Sequence, residues 1–156
     1  MQGDAEIIDL LNEALTNELT SVNQYFLDAK MLANWGYARL AEKYHSESID
    51  EMKDADSLIE RILYLDGMPN LQRLSALHIG ENPVEKIGAA LALETTSIER
   101  LNRGIALCVS KGDNGTRELL EQILAGEEEF ADWLETQQEL VSQLGDSHYL
   151  AQQIRD

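Results

Sequence analysis

Long, almost uninterrupted stretches of helical periodicity constrain this chain more than any other feature. Only two prolines and ten glycines occur in 156 residues, and they fall mostly between those stretches. Within each stretch apolar residues return at steps of three and four, the spacing that lines one face of a helix. The spacing predicts helix A from an Asp4 cap to about Asn34, with Gly36 separating it from helix B, which ends near Gly67 and Pro69. A long loop then reaches Asn82, Pro83 and Glu85, where a cap residue, proline at the first helical position and glutamate at the third open helix C. Gly112, Asp113, Asn114 and Gly115 break helix C from helix D, for which Thr116 is the expected cap and Gly145 the expected end. A short fifth helix is expected over Ser147 to Ile154. The result is all-α: two long antiparallel hairpins, one crossover loop and a short C-terminal helix.

A chain of this length reads as one domain, residues 1–156, able to bury a single core. No apolar run approaches the roughly 20 residues a membrane span requires. The opening MQGDAEIIDL has no basic segment followed by an apolar stretch, so the reading is a cytoplasmic protein without a secretory leader. Cys108 has no second cysteine to pair with and lies within a helical apolar pattern, which predicts a small buried side chain. With 29 acidic against 12 basic residues the net charge is -17. That balance repels nucleic acid and anionic membrane and attracts cations, although solubility alone would also account for it.

The core-facing seam of each helix carries acid where leucine is expected. Helix A reads Leu11, Leu15, Glu18, Val22, Tyr25, and helix B reads Leu40, Tyr44, Glu47, Glu51, Asp54, Leu58, Leu65. Helix C reads Ile87, Leu91, Glu94, Ile98, Leu101, Ile105, and helix D reads Leu120, Ile123, Glu127, Phe130, Leu134, Val141. All four helices thus place glutamate near their midpoints, which are level in a bundle. An ionised carboxylate costs several kcal/mol to bury, so four converging at one depth oppose folding unless something compensates. A divalent cation held by hard oxygen ligands is one solution. The other is that the acids are protonated, hydrogen-bonded to Tyr25 or another neighbour, or turned to solvent.

Several segments carry a closer resemblance: NQYFLDAKM at Asn23 to Met31, NWG at Asn34 to Gly36, ESIDEM at Glu47 to Met52, IERIL at Ile59 to Leu63 and GMPNLQ at Gly67 to Gln72. With the MQGD start and the Tyr149, Leu150, Gln153, Ile154, Arg155 pattern at the end, the chain resembles the bacterioferritins along its whole length. The connectivity agrees, since two hairpins joined by a long crossover define ferritin-like four-helix bundles. The resemblance implies an iron-storing hollow shell of twenty-four subunits, with b-type haem between paired subunits and a ferredoxin as electron donor. It also implies a di-iron ferroxidase centre made from one glutamate on each of helices A and C, and a glutamate followed three residues later by histidine on helices B and D. Glu18, Glu51, Glu94 and Glu127 match the four glutamates. Both histidines are replaced, by Asp54 and by Phe130.

Aspartate still offers oxygen to a metal, but phenylalanine offers no ligand atom. The resemblance therefore implies a subunit that is a weak or inactive ferroxidase alone, with Glu18, Glu51, Asp54, Glu94 and Glu127 as a vestigial metal site. Ser46 stands where the family often has a histidine that handles iron at the inner surface, while Asp50 is kept. Met52 matches the methionine that, contributed by two paired subunits, ligates the haem iron. It lies on a stripe with His45, Ile49, Asp56, Ile59 and Leu63, offset from the core seam. Met31 and Met68 read as packing residues, and His45 and His78 receive no role. His148, before the short last helix, is a candidate for the four-fold channels of the family.

Three functions remain open on the sequence. The first is a haem-carrying subunit co-assembling with a ferroxidase-competent paralogue. The second is an active ferroxidase using an all-carboxylate site, with Asp54 helped by Glu47 or Glu128. The third is a structural acidic bundle or a DNA-protecting mini-ferritin.

Overall fold

A computed structural model describes residues 1–155, and among them every regular element is helical. The helices are α1 (Ala5–Asn34), α2 (Ala38–Tyr64), α3 (Pro83–Lys111), α4 (Asn114–Leu144) and α5 (Asp146–Ala151). α1 packs mainly on α2 and α3 on α4, with lesser contacts of α1 on α3 and α2 on α4. The fold is a ferritin-like four-helix bundle. One core cluster gathers Leu11, Leu15, Leu58, Ile62 and Leu120 at one end, and another gathers Tyr25, Leu40, Tyr44, Phe130 and Leu134 towards the other. The acids sit between them.

The caps explain most helix boundaries. Asp4 accepts from the Glu6 and Ile7 amides, and Asn82 accepts from the Glu85 amide at 2.9 Å ahead of Pro83. The first hairpin turns at Gly36, whose φ of +95° is costly for a residue with a Cβ, and the Tyr37 amide then closes on Leu32 oxygen at 2.9 Å. α2 stops at Tyr64, and the residue in the left-handed region there is Asp66. Gly67 serves close approach: a Cβ at this position would meet Ile8 Cγ2 at 2.8 Å.

Two boundaries correct the sequence reading. Thr116 is not the cap of α4; Asp113 is, accepting from the Thr116 amide at 3.0 Å and the Thr116 hydroxyl at 2.6 Å. The Asp113 carboxylate reaches the third amide of the helix and pairs with the Arg61 guanidinium at 3.0 Å, so the helix starts earlier and Thr116 is buried within its first turn. α5 begins at Asp146 and ends at Ala151, short of Ile154. The chain turns there because the Gln153 oxygen accepts from the Arg39 amide at 3.0 Å, satisfying a first-turn donor of α2, whose own cap residue makes no side-chain bond.

The crossover loop is stitched to α1 by side chains four residues apart. Asn12 bonds the Asn70 amide and the Met68 carbonyl, and Thr16 accepts from Arg73 Nε. Thr20 accepts from the Ser75 amide, and Gln24 bonds both backbone groups of His78. Successive turns of one helix edge thus replace the regular hydrogen bonds that an extended loop lacks. Where the loop enters α3, Lys86 and Asp28 form an ion pair at 2.8 Å with both side chains fully buried, and Lys86 also lies over the Trp35 ring. Cys108 is a buried free thiol, as expected.

Candidate metal centre

Glu18 on α1, Glu51 on α2, Glu94 on α3 and Glu127 on α4 are all buried, so none of the four is turned to solvent. Asp54, one helical turn after Glu51, is half-buried. One carboxylate oxygen from each of Glu18, Glu51, Asp54 and Glu127 lies within 4.8 Å of the others, a spacing at which a single cation touches all four. Glu94 stands apart from that set. Its Oε1 accepts from the Tyr25 hydroxyl at 2.5 Å, the one predicted acid–tyrosine bond that forms.

The electrostatics follow from this crowding. Burial raises the carboxyls of Glu18, Glu51 and Glu127 well above the ordinary range, and neighbouring acid adds to the effect: Glu127 acts on Glu18, Glu18 on Glu51, and Glu94 with Glu51 on Glu127. Burial also raises Glu94, against the pull of the adjoining Glu127 carboxyl and of the Tyr25 hydroxyl. Asp54 is pushed up to about 7 by burial and then by the Asp50, Glu94 and Glu47 charges. Glu18 Oε2, Glu51 Oε2, Glu94 Oε2 and both oxygens of Glu127 are buried without a hydrogen-bond donor. Buried polar atoms are rarely orphaned, and oxygens left over in one place are what a divalent ion would use. The residues present therefore fit a cation on the Asp54 side.

The Glu94 side is different. Tyr25, the partner of Glu94, belongs to an aromatic cluster: buried Phe130 meets Tyr25 edge-on at 5.3 Å and Tyr44 at 6.2 Å, and stacks on Trp133 at 5.8 Å. The Lys43 ammonium lies 5.7 Å from the Phe130 ring centre and pairs with Glu47 at 3.1 Å. Four oxygen ligands thus stand together, and an aromatic cluster adjoins them through Phe130, which shares a pocket lining with Glu51 and Asp54. Asp54 borders a pocket of about 340 Å³ between α2 and α4, lined also by Asp50, Glu47 and Ser46. That pocket is the approach from solvent to the carboxylates.

A model of the ferritin-like domain matches residues 8–144. The bacterioferritin of Mycolicibacterium paratuberculosis is 52% identical over 152 residues, covering 97% of this chain and 96% of that protein. That of Mycobacterium leprae is 50% identical with the same coverage, and that of Streptomyces coelicolor is 47% identical over 151 residues, covering 97% and 90%. The chain belongs to the bacterioferritins. Iron storage is the function of that family, and the mini-ferritin and purely structural alternatives fall away.

In this bacterioferritin chain Met52 is 53% exposed on α2, beside Ile49 and Leu63, which are exposed too. The stripe predicted outside the core is therefore solvent-facing in the single chain. Met31 keeps the packing role, its sulfur accepting from Lys86 Nζ, whereas Met68 is 80% exposed and fills no gap. The expected helpers of an all-carboxylate site do not join it: Glu128 is exposed, because it lies one residue round the helix from Glu127, and Glu47 is tied to Lys43. His148 is exposed, with Nδ1 3.2 Å from the Leu144 oxygen, and His45 is exposed on α2. Among the described residues no helix is long and apolar enough to cross a membrane.

Sequence reasoning missed the loop stitches and the Lys86–Asp28 pair. A local signal existed for the second, since a basic residue in the first turn of a helix opposes the helix dipole and calls for a partner. For the first, the signal was polar residues at four-residue intervals beside the apolar seam of helix A.

Proposed function

We propose that this chain is the haem-carrying subunit of a twenty-four-subunit iron-storing shell, and that a paralogous subunit with both histidines supplies rapid iron oxidation. The observation that carries the reading is Phe130, buried against Tyr25, Tyr44 and Trp133 beside Glu127, where a nitrogen ligand would be needed. Iron enters as substrate. Glu47, Asp50 and Asp54 draw Fe(II) into the pocket between α2 and α4, and Glu18, Glu51, Asp54 and Glu127 hold one ion. Each Fe(II) yields one electron, so rapid reduction of oxygen calls for a second iron close by. The Phe130 ring removes its ligand, and the Tyr25 hydroxyl occupies one oxygen of Glu94.

Met52 fits haem by its chemistry and its place: a soft thioether on an exposed, partly apolar stripe, offered twice when two copies meet about a two-fold axis. When bound, the haem carries single electrons from a ferredoxin-type donor towards stored ferric iron. His148 is assigned to the rim of the four-fold channels and Asp50 to the inner surface. The one-domain chain works in the cytoplasm, away from nucleic acid and membrane.

Two measurements test the reading. Fe(II) oxidation by the purified, assembled chain should be slow beside an intact bacterioferritin, and mass spectrometry of the shell from its native host should reveal a second chain of similar size. Oxidation as rapid as in the intact relative would overturn it. The alternative, an all-carboxylate ferroxidase, is favoured by one observation, the four oxygens within 4.8 Å that include Asp54. It requires activity that disappears in Glu18→Ala and Glu94→Ala, and an empty site after soaking with Fe(II) removes it.

A further inference from the structure

Three of the 12 basic residues of this strongly acidic chain line one pocket on the side where α1 meets α3. Arg73 reaches it from the crossover loop, and Arg100 and Arg103 reach it from α3. The remaining wall is Glu13 and Thr16 from α1 and Ser75 from the loop, so no apolar side chain lines a cavity of about 370 Å³. Among the described residues none of the three guanidinium groups forms an ion pair. Two of them are nonetheless held in place by neutral acceptors: Arg73 Nε donates to Thr16 Oγ1 at 3.0 Å, and Arg100 Nη1 donates to Asn17 Oδ1. Thr16 and Asn17 are both buried, and the adjoining Ser75 amide is anchored on Thr20 at 3.0 Å. Arg73 and Arg100 are therefore positioned before any ligand arrives, with most of their donors unused.

Three cations gathered against the self-repulsion of like charge, with Glu13 as the single acid in the lining, leave this pocket net positive in a chain of net charge -17. A tetrahedral oxyanion offers more acceptor oxygens than a carboxylate and can take hydrogen bonds from all three guanidinium groups at once. Glu13 selects among oxyanions. Its carboxylate only accepts, so it opposes sulfate, which carries no proton at neutral pH, but takes a hydrogen bond from a phosphate that still bears one.

We propose that Arg73, Arg100 and Arg103 form a binding site for inorganic phosphate, with Glu13 as the residue that discriminates against sulfate. The site lies on the α1 and α3 side, whereas the carboxylate cluster opens between α2 and α4, so it is independent of the metal reading.

The test is calorimetric titration of the iron-free, assembled protein at pH 7 and low ionic strength with phosphate, sulfate and glycerol phosphate. Expected is saturable binding of one phosphate per subunit, stronger than that of sulfate and weakened by added salt. Arg103→Gln, at a residue whose guanidinium makes no hydrogen bond among the described residues, should lower the phosphate affinity roughly tenfold or more, while the assembled size stays the same. Glu13→Gln should tighten sulfate roughly twofold to fivefold and erase the preference for phosphate, a gain that misfolding cannot imitate. Glycerol phosphate should bind more weakly than free phosphate, since its dianion has no proton for Glu13. Absence of saturable phosphate uptake, equal affinity in Arg103→Gln, a preference that survives Glu13→Gln, or tighter binding of the ester would each overturn the assignment.

Discussion

The Phe130 ring meets Tyr25 edge-on, centroids 5.3 Å apart and planes at 78°, and so joins the aromatic cluster of the core to the edge of the carboxylate site. A ring so packed adds stability where a metal ligand would cost it. Phe130→Ala should lose about 3–5 kcal/mol, the usual penalty for emptying a buried phenylalanine.

Restoring ligands should exchange that stability for activity. The double variant Asp54→His with Phe130→His places nitrogen on both sides of the glutamates, and its initial rate of Fe(II) oxidation should rise roughly tenfold to a hundredfold. Asp54→His alone should give little gain, because Phe130 stays packed on Tyr25 and Tyr44 and offers no ligand atom. Stopped-flow absorbance of the ferric product reads the difference, and a large gain from Asp54→His alone would show that Phe130 is not the obstacle.

The same cluster sets a pH dependence. Asp54 in the folded chain titrates at about 7 against an ordinary 3.8, so between those values the folded state keeps a proton that the unfolded state has released. Metal-free stability is full below that window and falls as pH rises through 7; Glu18, Glu51 and Glu127 act in the same direction. Asp54→Asn should raise the melting temperature at pH 8 by roughly 2–4 °C, the equivalent of about 1 kcal/mol, and by less at pH 5, where only part of the window has been crossed. Zn(II), which binds the ionised carboxylates, should stabilise more at pH 8 than at pH 5. Calorimetric scans at the two pH values decide both points.

The bundle was legible in the sequence because its determinants are local. Periodicity marks the buried stripe of each helix, and Asp4, Asn82 and Pro83 announce helix starts from within a few residues. The levelled glutamates were legible for the same reason, as were the two replaced histidines, each three residues after its glutamate. Other features depend on where distant segments meet. Asp113 outcompetes Thr116 as a cap partly because Arg61, from another helix, arrives to pair with it. Nothing near Thr16 in sequence reveals that Arg73 will lie on it, and nothing near Phe130 reveals that it will pack among Tyr25 and Tyr44 from other helices.

Lys86 and Asp28 are such a distant pair, and their complete burial makes each dependent on the other. Lys86→Met strands the Asp28 carboxylate and should cost about 3–5 kcal/mol. Adding Asp28→Leu to that variant should recover much of the loss, since an apolar pair of similar volume carries no desolvation penalty. Denaturant unfolding of the single and double variants measures the coupling, and additive losses would show that the two charges do not act as a unit.

Met52 is the exposed thioether of α2. Met52→Leu keeps volume and apolarity, so folding and shell size should be unchanged within about 1 kcal/mol, but it removes the only atom of that side chain able to ligate haem iron. The haem absorption band of the reconstituted shell should disappear, and release of stored iron to an external reductant should slow. Met31→Leu and Met68→Leu should keep the band, because Met31 is bound to Lys86 and Met68 lies beyond the end of α2. Haem bound as tightly by Met52→Leu as by the unaltered chain would remove Met52 from the role and leave the exposed stripe around it as a pairing surface alone.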